Sequence, residues 1–510
     1  VQPTRYLLTT LFNKNQINNK LTVLIEHKII MKKQGLFLAL VVALFATACS
    51  KKSTTIDPVV PPKDTIVSTT VNVSGDIKVN TTWKADKIYV LKGFVYVTDG
   101  ATLTIEAGTI VKGEKVTKGT LVVTRGSKIM AEGTASKPIV FTSSFPAGTR
   151  SAGDWGGIIL LGKAPVNQGD NVGIEGGLDD KGNPAKYIQY GGTVANDNSG
   201  TLKYVRIEYA GIPFSPDNEI NGLTMGGVGS GTTLDYIEVY RAGDDSYEWF
   251  GGTVNAKHLL AIGGLDDDFD TDFGFSGKVQ FGLGQRYPTI ADISGSNGFE
   301  SDNDANGSDK TPQTSAIFSN MTMLGPISAL GAKNINANYQ HAAQLRRNSA
   351  ESIFNSVFAG FVEGIYIDDS KVTTAKSTST NYTAGRLVFQ NNLIFGSNLK
   401  LNEVKGENKT LFETKLRAEN TFDALLYAGA VITDPFKYSS DFANAGTPNF
   451  TVKAGSAAAT GALFTNAKIS TDTFFDKVDY RGAFGATDWS AGWANFNPQV
   501  LPYTTPGAVN

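Results

Sequence analysis

Thr102-Leu103-Thr104-Ile105, Thr120-Leu121-Val122-Val123, Pro138-Ile139-Val140-Phe141 and Gly157-Ile158-Ile159-Leu160 decide the fold. They begin at positions 102, 120, 138 and 157, a nearly constant interval. Each run favours β-structure, and Gly108, Gly113, Gly126 and Gly133 fall between them. A helical solenoid needs apolar residues at spacings of 3, 4 and 7, and those are missing. Hairpins need tight two-residue reversals, which are also missing. What remains is an all-β, right-handed, single-stranded parallel β-helix, in which each coil of roughly 18 to 25 residues gives a strand to each of several sheets. Looser copies continue the pattern, as Thr201 to Val205 returns at Thr233 to Ile237. Phe318-Ser319-Asn320, Phe354-Asn355-Ser356 and Phe389-Gln390-Asn391 follow one another at similar intervals, which predicts an asparagine ladder at a repeated bend. The lengthening spacing implies loops inserted at the corners, and in solenoids such loops often build the binding face.

Composition sets the outer limits. Of 510 residues, 46 are Lys or Arg and 48 Asp or Glu, a net charge of −2 that speaks against a nucleic-acid partner. One cysteine excludes a disulfide framework and Cys-based zinc clusters.

That cysteine has a telling position. Met31 to Ser50 reads MKKQGLFLALVVALFATACS: two lysines, a largely apolar run from Leu36 to Ala48, then Cys49. The run is short for a bilayer span and has signal-peptide proportions, and Ala46-Thr47-Ala48-Cys49 resembles a bacterial lipobox. Residues 1–30 are read as a mis-called upstream extension, 31–48 as a lipoprotein signal peptide, and 49–70 as lipidated Cys49 with a Pro-containing tether. Residues 71–419 are assigned to the β-helix, and 420–510 to final coils and a C-terminal cap covering the exposed end. Trp489 and Trp493 are assigned to that cap. The expectation is a monomer held at the outer membrane, on its surface or periplasmic face, through lipid on Cys49.

Residues 211–310 hold 17 acidic against five basic residues. The bursts are Asp217 and Glu219; Asp244, Asp245 and Glu248; Asp266, Asp267, Asp268, Asp270 and Asp272; and Glu300, Asp302 and Asp304. Asp244-Asp245 and Asp267-Asp268 are separated by the same interval as Phe250-Gly251 and Phe273-Gly274. If that interval is one coil, these carboxylates stack one strand spacing apart. Such stacks hold a hard cation such as Ca²⁺, share protons, or splay into solvent as turn residues. The metal set is therefore the last three bursts without Glu248; Glu248, Trp249 and His258 are ligand candidates. The aromatics among the acids either meet sugar or plug the coil interior, the latter expected for the Phe residues.

An enzymatic role finds less support. Arg346, Arg347, Lys333 and Lys257 could act as the base of a lyase, but none stands in a diagnostic motif. The Gly-His-Gly and Arg-x-Lys elements of a polygalacturonase-type hydrolase are absent, as is G-x-S-x-G. His258 and His341 lack catalytic context.

Asp245 to His258 (DSYEWFGGTVNAKH), Asp266 to Gly284 (DDDFDTDFGFSGKVQFGLG), Ser296 to Asp304 (SNGFESDND) and Tyr480 to Trp493 (YRGAFGATDWSAGW) resemble a family of Bacteroidota outer-membrane lipoproteins with a pectate-lyase-like β-helix. The resemblance spans about residues 70–510 and implies the fold and the address. It implies no activity: the "multidrug transporter" label borne by some members meets no membrane span here. The expected function is non-enzymatic binding of a glycan or envelope component with structural calcium. The alternative is a polysaccharide lyase or glycoside hydrolase using the same acids.

Overall fold

The computed structural model describes residues 69–215, 218–370, 372, 377–396, 400–405, 409–438 and 446–510. The segment read as a signal peptide, Cys49 and nearly all of the stretch read as a tether lie outside the described residues. Among those described, 27 strands join one parallel hydrogen-bonded system. It is a parallel β-helix whose coils each place one strand in three sheets.

The first sheet runs from Thr81–Trp83 through Thr102–Ile105 and Lys128–Glu132, then through the opening halves of four long strands, Gly200–Glu208, Thr233–Tyr240, Asn255–Ile262 and Lys278–Gln285. The closing halves of those long strands belong to the second sheet, beneath Ile110–Gly113 and Ile139–Ser143. Thr120–Val123, Ile158–Leu161, Leu223–Gly226, Tyr247–Phe250, Phe269–Asp272 and Phe299–Ser301 stack in the third.

Two periods read from the sequence are corrected by this register. The tetrads that begin at Thr102, Thr120 and Pro138 occupy the first, third and second sheets in turn, so their interval is shorter than a coil. A whole coil there carries Thr102 to a position opposite Lys128, and Leu121 to one opposite Ile158. Among the acids the third-sheet register is one position shorter than the sequence alignment implies. Glu248 faces Asp270 and Phe250 faces Asp272, so Phe250 and Phe273 are not register partners. The longer interval belongs to the second sheet, where Leu259 faces Gly282. The repeat from Thr201 to Thr233 is a true coil, the two residues lying opposite each other.

Inside the coils, Leu103, Val123, Ile139, Val205, Ile237 and Leu259 stack in one continuous core. Each such side chain contributes about 1.5–3 kcal/mol by leaving water. Where the long strands bend between the first and second sheets, one residue per coil takes positive φ: Tyr204, Tyr236, His258, Phe281, Asn320, Asn355 and Asn391. The rings stack, Tyr204 on Tyr236 at 4.4 Å and Tyr236 on His258 at 4.2 Å. The asparagines continue the column, with Asn391 Nδ2 donating to Asn355 Oδ1 at 2.6 Å. Asparagine tolerates the left-handed conformation, and here it also reads its neighbour coil.

Gly200 shows how tightly successive coils pack. It sits at φ +114°, and a Cβ there would lie 1.8 Å from the Ile129 carbonyl oxygen. Gly200→Ala is expected to lower unfolding stability by about 4 kcal/mol or more, measured by urea titration.

The C-terminal region is not only an end cover. The last coil is closed by the helix Lys409–Glu419, which buries Leu416 in the core. The chain beyond residue 446 instead travels back along the side of the solenoid. Gly461 O accepts from Asn391 and Leu463 O from Asn355; Tyr480 O accepts from Asn320, and Asp476 O from Gln280. Trp489 and Trp493 then press edge-on against Tyr236, and Trp489 also against His258. Tyr503 and Val509 finally pack on Ile88, Ile110 and Val140 of early coils. The tail is a strap, and it joins late coils to early ones.

Candidate functional site

Third-sheet strands expose alternate residues outward, so the sequence Tyr247-Glu248-Trp249-Phe250 sends Glu248 out and Trp249 in. Trp249 is fully buried in the coil interior, 5.3 Å from the Phe275 ring. Phe269 and Phe299 fill that interior too. Outside, Glu248, Asp270 and Glu300 form a register column. At the corner leading into this sheet, Asp245 lies over Asp267, whose backbone N–H donates to Asp245 Oδ1 at 2.7 Å.

Asp244, Asp245, Glu248 and Asp266 line one cavity of about 590 Å³. Three further carboxylates come from inserted loops: Glu175 between the strands Ile158–Leu161 and Gly200–Glu208, Glu219 beside the strand Pro213–Ser215, and Asp292 after Lys278–Gln285. No Lys, Arg or His among the described residues lines the cavity. The amide of Asn221 backs two of these acids, donating through Nδ2 to Glu248 Oε2 and reaching Glu175 Oε1 at 3.5 Å. Asn221 is 1% exposed, and its Oδ1 has no hydrogen-bond partner among the described residues.

Burial first, and then neighbouring negative charge, pushes these acids up. The Asp245 carboxyl is held well above its ordinary value by burial and then by Asp267. Glu248 is raised by burial and then by Glu175, and Asp270 by burial and then by Asp267. A bound cation would reverse that balance. The donor set suits a hard cation, which takes six to eight oxygens at about 2.3–2.6 Å. Asp244, Asp245 and Asp266 offer oxygens within 4.8 Å of one another, as do Asp245, Glu248 and Asp270.

The remaining acids have other partners. Asp268 pairs with Arg286 at 2.7 Å, both side chains fully buried, and is a strut of the corner. Asp267 accepts the Asn297 N–H and Asp272 that of Phe273. Glu300 and Asp302 are engaged by Arg346, whose Nε lies 3.0 Å from Asp302 Oδ1, and Arg347 also takes Asp302. Asp304 accepts the Asn306 and Ser308 N–H groups of a turn at 2.9 and 3.0 Å. His258 binds Asp235 at 2.8 Å beneath the strap, away from the cavity. Glu175 and Asp292 sit in insertions without a repeat phase and Asn221 is a lone asparagine, so the sequence marks none of the three, whereas Glu219 stands in an acidic burst but outside the expected metal set.

The family profile described as "Pectate-lyase like beta helix domain" matches residues 75–430. The chain belongs to this pectate-lyase-like β-helix family. Membership points to a carbohydrate-related role. No curated protein and no solved structure matches the chain. In this β-helix, no helix among the described residues is long and apolar enough to cross a membrane.

Proposed function

We propose that the chain is an exported β-helix, anchored at the outer membrane by lipid on Cys49, that binds a glycan or envelope component without transforming it. Calcium held by the cavity carboxylates forms part of the binding surface. One observation carries this reading: seven carboxylates surround a cavity of about 590 Å³ that no basic side chain among the described residues lines. That volume suits a sugar-sized ligand. Calcium coordinated by Asp and Glu retains open positions that sugar hydroxyls or carboxylates can fill.

The bases a lyase would need are occupied or distant. Arg346 and Arg347 are engaged by Glu300 and Asp302, Lys257 binds Asp476 at 2.6 Å, and Lys333 lies in a loop outside the cavity. Full-length protein in detergent, screened on a glycan array in calcium and in EGTA, should capture an oligosaccharide about tenfold or more better with calcium. Glu248→Gln should weaken capture to the EGTA level. Release of unsaturated or new reducing-end products from the captured polymer would replace this reading with the lyase or hydrolase one.

A further inference from the structure

We infer that the acids of the cavity, together with Asp270 beside it, form a two-cation centre in which the carboxylate of Asp245 bridges two hard divalent ions. The inference rests on the calcium reading above and adds its stoichiometry and architecture. Asp244, Asp245 and Asp266 form one convergent trio, and Asp245, Glu248 and Asp270 form the other. Only Asp245 belongs to both. A carboxylate has two oxygens, so one side chain can serve an ion on either side.

Charge supports two ions over one. The two trios comprise five carboxylates, and one divalent ion would leave three negative charges in a largely buried site. Two ions leave one within the trios, which neighbouring Arg286 and Arg346 help offset for Asp266 and Asp270, while the other cavity acids, Glu175, Glu219 and Asp292, favour the second ion further. The cavity, at about 590 Å³ and lined by four of the five trio carboxylates, has room for hydrated ions, a water occupying about 30 Å³.

Unpartnered oxygens mark both halves. Asp266 Oδ1 in the first trio and Asp270 Oδ1 in the second are buried without a hydrogen-bond partner among the described residues. Independently of the acids, Asn221 Oδ1 is also buried and unpartnered, on a side chain held against Glu248 by its own Nδ2. Buried carbonyl oxygens are paired in native structures, and Asn oxygens are ordinary calcium ligands. Asn221 thus supplies a neutral ligand on the Glu248 side.

Calcium titration of EGTA-stripped, full-length protein by isothermal calorimetry tests the proposal. Two ions per chain are expected. Asp266→Asn and Asp270→Asn should each retain one, Asp245→Asn should retain none, and Asp304→Asn, outside the centre, should retain two. Circular dichroism verifies that each variant is folded, and the wild-type stoichiometry needs no variant. One ion per chain overturns the bridge and leaves the calcium-dependent function standing. No bound calcium overturns both the bridge and the calcium reading, while glycan capture in EGTA then decides whether carbohydrate binding survives without the ion.

Discussion

Asp245→Asn combined with Glu248→Gln should make the calcium-free protein more stable and abolish its response to calcium. In EGTA the wild type crowds carboxylates whose oxygens lie within 4.8 Å of one another. Like charges at that range repel by about 1 to 4 kcal/mol per pair, depending on local solvent. Burial first, and then the neighbouring carboxylates, disfavours the charged form of both. The amides keep the shape: an Asn at position 245 can still accept the Asp267 N–H, and a Gln at 248 can still meet Asn221. A rise of about 5 °C in the unfolding midpoint is expected in EGTA. With saturating calcium the order inverts, because a ligand at 100 times its Kd stabilises the wild type by about 2.7 kcal/mol. Differential scanning fluorimetry in both conditions measures the crossing. Equal midpoints for variant and wild type in EGTA would show that the acids do not strain the fold.

Arg206→Met should have the second large effect, with a marked pH dependence. Arg206 is 1% exposed, lies 3.5 Å from Glu208 Oε1, and donates to the Trp493 carbonyl and the Tyr503 hydroxyl of the strap, each at 3.3 Å. Tyr503 in turn donates to Glu208 at 2.8 Å, and Glu238 accepts the Asn495 N–H at 2.9 Å. Removing the cation leaves two buried acids without their counter-charge, a loss of about 3–5 kcal/mol. Burial raises Glu238 from 4.5 to about 8, and Arg206 is the main force holding it down. A carboxyl raised on folding binds more protons in the native state, so its stability falls as pH rises from about 4.5 towards 8. Without Arg206 the carboxyl is held higher still, so the fall continues to higher pH. Urea titrations at pH 5 and pH 9.5 should therefore show a smaller loss at the lower pH and the larger loss at the higher. An equal loss at both would mean that lost packing of the arginine, not charge, sets the cost.

How much of this could be read from the sequence follows from where a periodic signal survives. Thr201 and Thr233 announce their coil because both lie in uninterrupted strands of the same sheet. The early tetrads mislead on coil length because Thr102, Thr120 and Ile139 open strands of different sheets that share one β-favouring pattern. The fold class survives that error, since any three-sheet coil repeats apolar residues, but stacking assignments do not. Hence aligning Asp244-Asp245 with Asp267-Asp268 placed the right acids near one another in the wrong register. Asp245, Glu248 and Asp270 were legible as a cluster. Asp268 looked the same in sequence, and only the three-dimensional position of Arg286 turns it into a strut. Glu175, Glu219 and Asp292 reach the cavity on loops whose course is fixed by packing, and the strap's path has no repeat to betray it.

The strap also changes what kind of object a stack of coils is. In an open solenoid each repeat touches only its neighbours, so the ends can fray while the middle holds. Here Asn391 and Asn355 grip one stretch of the tail, and Arg150 grips the Pro498 and Leu501 carbonyls further on. Early and late coils are thereby wired in series through a single polypeptide. Loss of either end releases tail that the other end needs, which converts a one-dimensional array into one cooperative unit. Because those contacts join parts of the chain that are remote in sequence, the same closure raises contact order and slows folding.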